Sequence, residues 1–197
     1  MKLIARGAEA IIYKEKNKVI KDRIKKSYRH SELDKRLRKR RTKAEVKIMK
    51  KISSIIPCPS VLDTENNKIT LQFIMGKKLS DNLEDLDYKK ICRQIGSSLA
   101  KLHNSGIIHG DLTTSNLILK KDKVYFIDFG LSFHSNRIED KAVDLHLIKQ
   151  ALEAKHSKIH EKAFKSILQG YKKSKQYKET LARLQTVEKR GRYKKGS

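Results

Sequence analysis

The sequence predicts an α+β chain in two lobes: a small β-rich N-terminal lobe carrying one long helix, then a mainly helical C-terminal lobe. Three observations predict it. Short, weakly alternating stretches fill the first residues, a long basic segment from Ser31 to Ile52 has helical periodicity, and helical periodicity dominates after Met75-Gly76 apart from one hairpin. The 197 residues suffice for one large domain or two small lobes with a real core. The expected divisions are a first lobe over residues 1–75, a second over 76–188, and a basic tail over 189–197.

Lys2 to Ala5 reads as a strand, Gly7 as a turn, Ala10 to Glu15 as a second strand, Lys16-Asn17 as a turn, and Lys18 to Asp22 as a third strand. In the basic segment, Leu33, Leu37, Ala44, Ile48 and Ile52 recur at helical intervals and predict one apolar stripe. Pro57 and Pro59 end that helix. Val61 to Asp63 and Lys68 to Ile74 form a predicted hairpin around Glu65-Asn66-Asn67, and Met75-Gly76 reads as a hinge. Asp87 to Asn104 predicts an amphipathic helix with Ile91, Ile95, Leu99 and Leu102 inward, terminated at Gly106. Leu117 to Leu119 and Val124 to Ile127 form a second hairpin. Helices over Asp140 to Ala154, Ile159 to Tyr171 and Tyr177 to Glu188 follow, then the tail.

The formal net charge is +25, with 35% charged residues, which points to a polyanionic partner. From Lys21 to Lys51 fifteen Lys or Arg stand against four Asp or Glu, and from Val187 to Ser197 five stand against one. Cys58 and Cys92 are too few and too isolated for a metal site or a disulfide framework, so they read as buried or neutral thiols in a reducing compartment. No signal peptide is visible, and no segment approaches the roughly 20 apolar residues of a membrane span. The expected location is the cytoplasm.

The chemistry concentrates in His109-Gly110-Asp111-Leu112-Thr113-Thr114-Ser115-Asn116, followed by Ile127-Asp128-Phe129-Gly130. This order and spacing of Asp, Asn and Asp is that of a kinase-type phosphoryl-transfer site. Asp111 would orient, or take a proton from, the attacking hydroxyl or water. Asn116 and Asp128 would hold magnesium on the phosphates of ATP through hard oxygens. His109 reads as a brace for the loop. Lys21, on the third strand, would contact the α- and β-phosphates, with Glu45 as its partner and Asp34 or Glu32 as weaker alternatives. Gly7, Ala8, Glu9 and Ala10 would form the phosphate-covering turn, although it lacks the usual three glycines. Glu9 reads either as a solvated loop residue or as a positioner of metal or phosphate. Gln72, Phe73, Ile74 and Met75 would offer backbone groups to adenine.

Two absences narrow the class. Too few residues separate Gly130 from Asp140 for a long activation segment, and no Ala-Pro-Glu anchor follows. Thr113 stands where protein kinases carry a lysine. Asp144 reads either as a brace for the catalytic loop or as a capping or surface residue.

Together with Gly7-Ala8-Glu9-Ala10, Glu139-Asp140-Lys141-Ala142-Val143-Asp144-Leu145 and Arg190-Gly191-Arg192, these motifs resemble the small atypical, RIO-like kinase subunit of the KEOPS complex, over nearly the whole chain. The resemblance implies a minimal two-lobed kinase fold without an activation segment, ATP and magnesium as cofactors, and autophosphorylation of the Ser/Thr-kinase type. It also implies an ATPase role supporting threonylcarbamoylation of adenosine in tRNA. The implied partners are a sugar-kinase-fold threonylcarbamoyltransferase subunit, a small helical subunit, and tRNA through the basic helix and through Lys189, Arg190, Arg192, Lys194 and Lys195. Part of the basic helix would instead meet the transferase. In some archaea the family is fused behind the transferase, so Met1 need not be the natural start. Two other readings compete. A free-standing small-molecule phosphotransferase would share His-Gly-Asp with a later Asn but needs a larger helical lobe. A non-catalytic scaffold would have lost a metal ligand, and none is lost here.

Overall fold

The computed structural model describes residues 1–193, with side chains described through Arg190. Chain contacts divide it into two compact units, Met1–Ser54 with Cys58–Met75, and Ile55–Pro57 with Gly76 onward.

The first unit is a five-stranded antiparallel sheet with one helix. Strands β1 (Lys2–Arg6), β2 (Ala10–Glu15), β3 (Lys18–Arg23), β4 (Val61–Glu65) and β5 (Lys68–Gln72) lie in the order β1-β2-β3-β5-β4. The tight turns at Lys16-Asn17 and Asn66-Asn67 each begin on a residue of positive φ, 49° at Lys16 and 48° at Asn66. β4 runs two residues further than the pattern suggested, so the second turn is only Asn66-Asn67. Helix α1 (Ser31–Ile52) packs on β4 and β5, with Glu32 and Asp34 in its first turn and Lys50 and Lys51 in its last, as the helix dipole favours. Ile48, Met49, Ile52, Ile69, Leu71 and Ile74 make its core.

The predicted apolar stripe of α1 holds only at its C-terminal end. Leu33 is 51% exposed and Ala44 also faces solvent, while Asp34, Thr42 and Glu45 are buried. Buried carboxylates override the leucine periodicity because each is bound by a cation. Asp34 accepts from Arg38 Nε at 2.6 Å and from the Lys26 amide at 3.1 Å, and these bonds hold its carboxyl below the usual carboxylate range.

The second unit is mostly helical. A short strand β6 (Lys77–Lys78), a turn of helix α2 (Leu79–Asn82) and a 3₁₀ turn at Leu83–Asp85 lead into α3 (Tyr88–Asn104). Asp87 is the cap of α3 rather than its first residue, its Oδ1 accepting from the Lys90 amide at 3.1 Å. Gly106, at φ +66°, ends the helix as expected. β7 (Ile107–Ile108) pairs with β10 (Phe133–His134), and β8 (Leu117–Lys120) lies between β6 and β9 (Lys123–Phe126). Helices α4 (Ile138–Lys155), α5 (His160–Tyr171) and α6 (Tyr177–Tyr193) complete the unit, with α3 against α5 and α4 against α6.

Helices α3 and α5 meet backbone to backbone at two glycines. A Cβ on Gly96 would lie 1.9 Å from the Ile167 carbonyl oxygen, and one on Gly170 would lie 2.1 Å from that of Arg93. Cys58 and Cys92 are free and buried, and burial pushes their thiols up to about 11 and about 12. Among the described residues no helix is long and apolar enough to cross a membrane.

The C-terminal tail departs from expectation. Helix α6 continues through Lys189 and Arg190 to Tyr193 instead of stopping at Glu188. Glu139 explains this physically: from the first turn of α4 it binds both Arg183 and Arg190 on α6, while Lys149 on α4 binds Glu188 at 2.8 Å. The helix is thereby held against α4 past the predicted boundary. Lys194, Lys195 and the Arg192 side chain lie outside the described residues.

Candidate functional site

In the second unit, the loop after β7 carries Asp111. Gly110 sits at φ +81°, and a Cβ there would lie 2.4 Å from the Leu131 carbonyl oxygen, so the residue before Asp111 must be glycine. Asp144, wholly buried on α4, braces this loop from below. Its Oδ2 accepts from the His109 amide at 2.7 Å and its Oδ1 from the Gly110 amide at 2.8 Å. His103 on α3 adds a contact from Nε2 to Asp144 Oδ2 at 3.2 Å, and its Nδ1 meets the Tyr171 hydroxyl of α5 at 2.7 Å. Three helices thus converge on two loop amides. Of the two roles the sequence allows Asp144, the brace is the one the fold realises. Burial pushes the Tyr171 hydroxyl up, so it stays neutral.

His109 is fully buried and packs on Phe129 with ring centroids 4.9 Å apart. Its Nε2 lies 3.3 Å from the Ile127 carbonyl oxygen, and its Nδ1 accepts from the Asp111 amide at 3.3 Å. Those partners require the Nε2–H tautomer. Burial holds the imidazole below its usual range despite the nearby Asp144, Asp128 and Asp111, so His109 is a neutral brace. The Ser132 hydroxyl donates to the His109 carbonyl at 2.7 Å, a support that carries no signal in the sequence.

Asn116 and Asp128 are brought to adjacent strand ends. Asn116 precedes β8, Asp128 follows β9, Leu117 is registered against Phe126, and the Ile127 amide donates to the Asn116 carbonyl at 3.0 Å. Asn116 Nδ2 donates to the Asp111 main-chain oxygen at 2.8 Å and to Asp111 Oδ2 at 3.0 Å. Both amide hydrogens are therefore spent on Asp111, which leaves Oδ1 as a hard oxygen suited to a divalent cation. Asp128 is a non-glycine residue at φ +60°, a conformation that costs energy and collects at functional sites. Its Oδ1 accepts from the Gly130 amide at 3.2 Å. Among the described residues no group of three or more His, Cys, Asp or Glu forms a metal cluster, so a cation here would take its other ligands from substrate and water.

In the first unit, Lys21 and Glu45 are paired as expected, Nζ to Oε1 at 2.8 Å. Sequence reasoning missed Arg23, whose Nη2 binds Glu45 Oε2 at 2.6 Å. The signal was available, since residues two apart on a strand share a face. The Gly7 amide donates to the Ala10 carbonyl at 3.0 Å and closes the predicted turn, and Lys26 Nζ donates to the Ala8 carbonyl. The Glu9 carboxylate binds Arg41 of α1 at 2.5 Å, so Glu9 ties the turn to the helix. Of the four residues expected to meet adenine, Gln72 donates its amide to Ser60 at 2.9 Å and Phe73 its amide to Asn17 at 2.9 Å. Both amides are thus engaged within the first unit.

A RIO-domain profile matches residues 4–145. The KEOPS complex subunit Bud32 of Pyrococcus abyssi is 41% identical over 216 residues, spanning 100% of this chain and 98% of that protein. The chain belongs to the RIO-domain family, in the group of the KEOPS subunit Bud32. A probable serine/threonine-protein kinase, a BUD32 homolog of Archaeoglobus fulgidus, is 40% identical over 95% of this chain and 94% of its own length. A probable bifunctional tRNA threonylcarbamoyladenosine biosynthesis protein of Methanobrevibacter smithii is 43% identical over 97% of this chain, which spans only 36% of that longer relative. The RIO fold itself is matched by the Rio2 kinase of Chaetomium thermophilum, solved as an ADP/Mg2+-phosphoaspartate complex. The match has a TM-score of 0.65 and 14% identity, and it covers 98% of this chain and 72% of that one.

Proposed function

We propose that this RIO-domain chain binds ATP with magnesium and acts as the kinase or ATPase subunit of a KEOPS complex, supporting threonylcarbamoyladenosine modification of tRNA. The observation that carries the reading is Asn116 joining Asp111 side chain to side chain on a loop whose amides Asp144 holds. That set orients a hydroxyl or water at one carboxylate and offers an amide oxygen to a cation. Asp111 would align the nucleophile and take its proton, Asn116 would fix Asp111, and Asn116 and Asp128 would hold magnesium. Bound magnesium would neutralise charge on the transferred phosphoryl group. In the first unit, Lys21 would contact phosphate with Glu45 holding it, the Gly7, Ala8, Glu9 and Ala10 turn would cover the phosphates, and Ile74 and Met75 would meet the base.

The names of the relatives, a KEOPS complex subunit and a tRNA threonylcarbamoyladenosine biosynthesis protein, support partners within such a complex; the partners proposed are a threonylcarbamoyltransferase-type subunit of sugar-kinase fold, a small helical subunit, and tRNA. The α1 cations and Lys189, Arg190, Arg192, Lys194 and Lys195 would contact tRNA phosphates. A cytoplasmic location follows from that role. The deciding experiment measures ATP hydrolysis alone, with tRNA and the transferase partner, and in Asp128→Ala. Stimulation by both additions and loss in the variant are expected. Activity indifferent to both but raised by a small hydroxyl compound would overturn the proposal in favour of a small-molecule phosphotransferase.

A further inference from the structure

The geometry points to Arg23 as a positioning residue for nucleotide phosphate, acting through Glu45 on Lys21. This assignment rests on the nucleotide reading above and adds a residue to it.

Lys21 and Arg23 stand two apart on β3 and so project from one face of the sheet. Both are buried, at 7% and 4% exposure, and Glu45 is at 2%. The carboxylate is divided between them, Oε1 to Lys21 and Oε2 to Arg23. A buried carboxylate held by a single ammonium leaves one oxygen without a donor and is free to rotate about its last torsion. The second, charge-assisted bond removes that rotation. It therefore fixes where Oε1 stands, and through Oε1 where the Lys21 ammonium stands.

Arg23 is itself held by its backbone. Its amide donates to the Asn67 carbonyl at 3.1 Å, and it is registered opposite Ala10, the last residue of the Gly7–Ala10 turn. One residue further on, the Ile24 amide donates to the Glu9 carbonyl at 3.1 Å. The Arg23 backbone is thus anchored beside the turn proposed to cover the phosphates, and its guanidinium reaches Glu45 on the helix. Among the described residues its Nε has no hydrogen-bond partner, so the fork holds Glu45 through a single nitrogen and is not closed into a bidentate clamp. An arginine serving only to fill this space would bury a guanidinium at a desolvation cost that a leucine or methionine would avoid. What the guanidinium adds over an apolar side chain is the hold on Oε2.

The test compares Arg23→Met, Arg23→Lys, Lys21→Met and the Arg23→Met/Lys21→Met double variant of the full chain. Affinity for Mg2+–ADP is measured by titration calorimetry, and KM and kcat by ATP hydrolysis. Arg23→Met is expected to weaken Mg2+–ADP and raise KM about tenfold with kcat nearly unchanged, because phosphate positioning by Lys21 serves ground and transition states alike. Arg23→Lys is expected to recover part of the loss. The double variant is expected to bind no worse than Lys21→Met, since Arg23 acts through that lysine. Unchanged affinity in Arg23→Met, or an equal further loss in the Lys21→Met background, overturns the assignment. If Arg23→Met does not fold, Arg23→Lys decides by itself: a raised KM at unchanged kcat supports the assignment, and wild-type kinetics overturn it. A wild-type chain that binds no Mg2+–ADP fails earlier and overturns the nucleotide reading together with this one.

Discussion

Replacing Asp144 with alanine tests the brace under the candidate loop. The carboxylate is wholly buried and accepts from the amides of His109 at 2.7 Å and Gly110 at 2.8 Å, with His103 Nε2 at 3.2 Å. Alanine leaves two buried backbone N–H groups without an acceptor, at about 1–3 kcal/mol each. It also strips His103 of a partner. Breaking a buried hydrogen-bonded charge cluster from one side costs about 3–5 kcal/mol, and the loss for Asp144→Ala should fall in that range. Asp144→Asn keeps one acceptor oxygen but turns an NH2 group toward the other amide, so about half the loss should remain. The assay is urea unfolding followed by far-UV circular dichroism, which suits a chain with no tryptophan. An Asp144→Ala variant within about 0.5 kcal/mol of the parent would refute the reasoning, because such values belong to surface substitutions.

Other outcomes follow from the same structure. Gly96→Ala should destabilise the second unit by at least about 2 kcal/mol, read from its thermal midpoint, since the new Cβ would lie 1.9 Å from a backbone oxygen that cannot step aside. Stability should fall as pH drops below about 6.5. His109 and His156 are both depressed in the folded state, chiefly by burial, so the unfolded chain takes up protons first. The loss should saturate once pH passes below the folded values, and His109→Asn should flatten the slope of the unfolding midpoint against pH. Cys58 and Cys92 should resist an aqueous disulfide reagent at neutral pH in the native chain and react on unfolding, because burial raises the thiols to about 11 and about 12. Glu139→Gln should cost only about 1 kcal/mol, since its arginine partners are partly exposed, but it should speed proteolysis near Glu188, measured by mass spectrometry of the fragments.

Much of this chain is legible in its amino-acid order. The strands around Lys16-Asn17, the helix from Ser31 to Ile52 and the amphipathic helix ending at Gly106 are set by local rules of turn chemistry, periodicity and capping. The polar residues of the loop are legible because the proposed phosphoryl transfer would fix residue type and spacing together. Asp111 and Asn116 lie five apart on one short loop, and a single hairpin returns Asp128 beside Asn116.

What the sequence could not decide are relations between distant segments. The stripe rule put Leu33 and Ala44 inward, but Asp34 and Glu45 are buried instead, Asp34 paired with Arg38 one turn along its own helix and Glu45 reached by Lys21 and Arg23 from β3. The predicted helix stops at Glu188, yet Glu139, some fifty residues earlier, binds Arg190 within the helix. Arg23 looked like one cation among many until the sheet placed it on the face of Lys21. His103, Tyr171 and Asp144 carry no joint signature, because they come from three helices and meet only where those helices pack. By itself the sequence determined which residues could carry phosphoryl chemistry, since that chemistry is written in residue type and short spacing. Only the tertiary structure decided what holds those residues in place, because the cost of burying a charge depends on the partners that the fold brings to it.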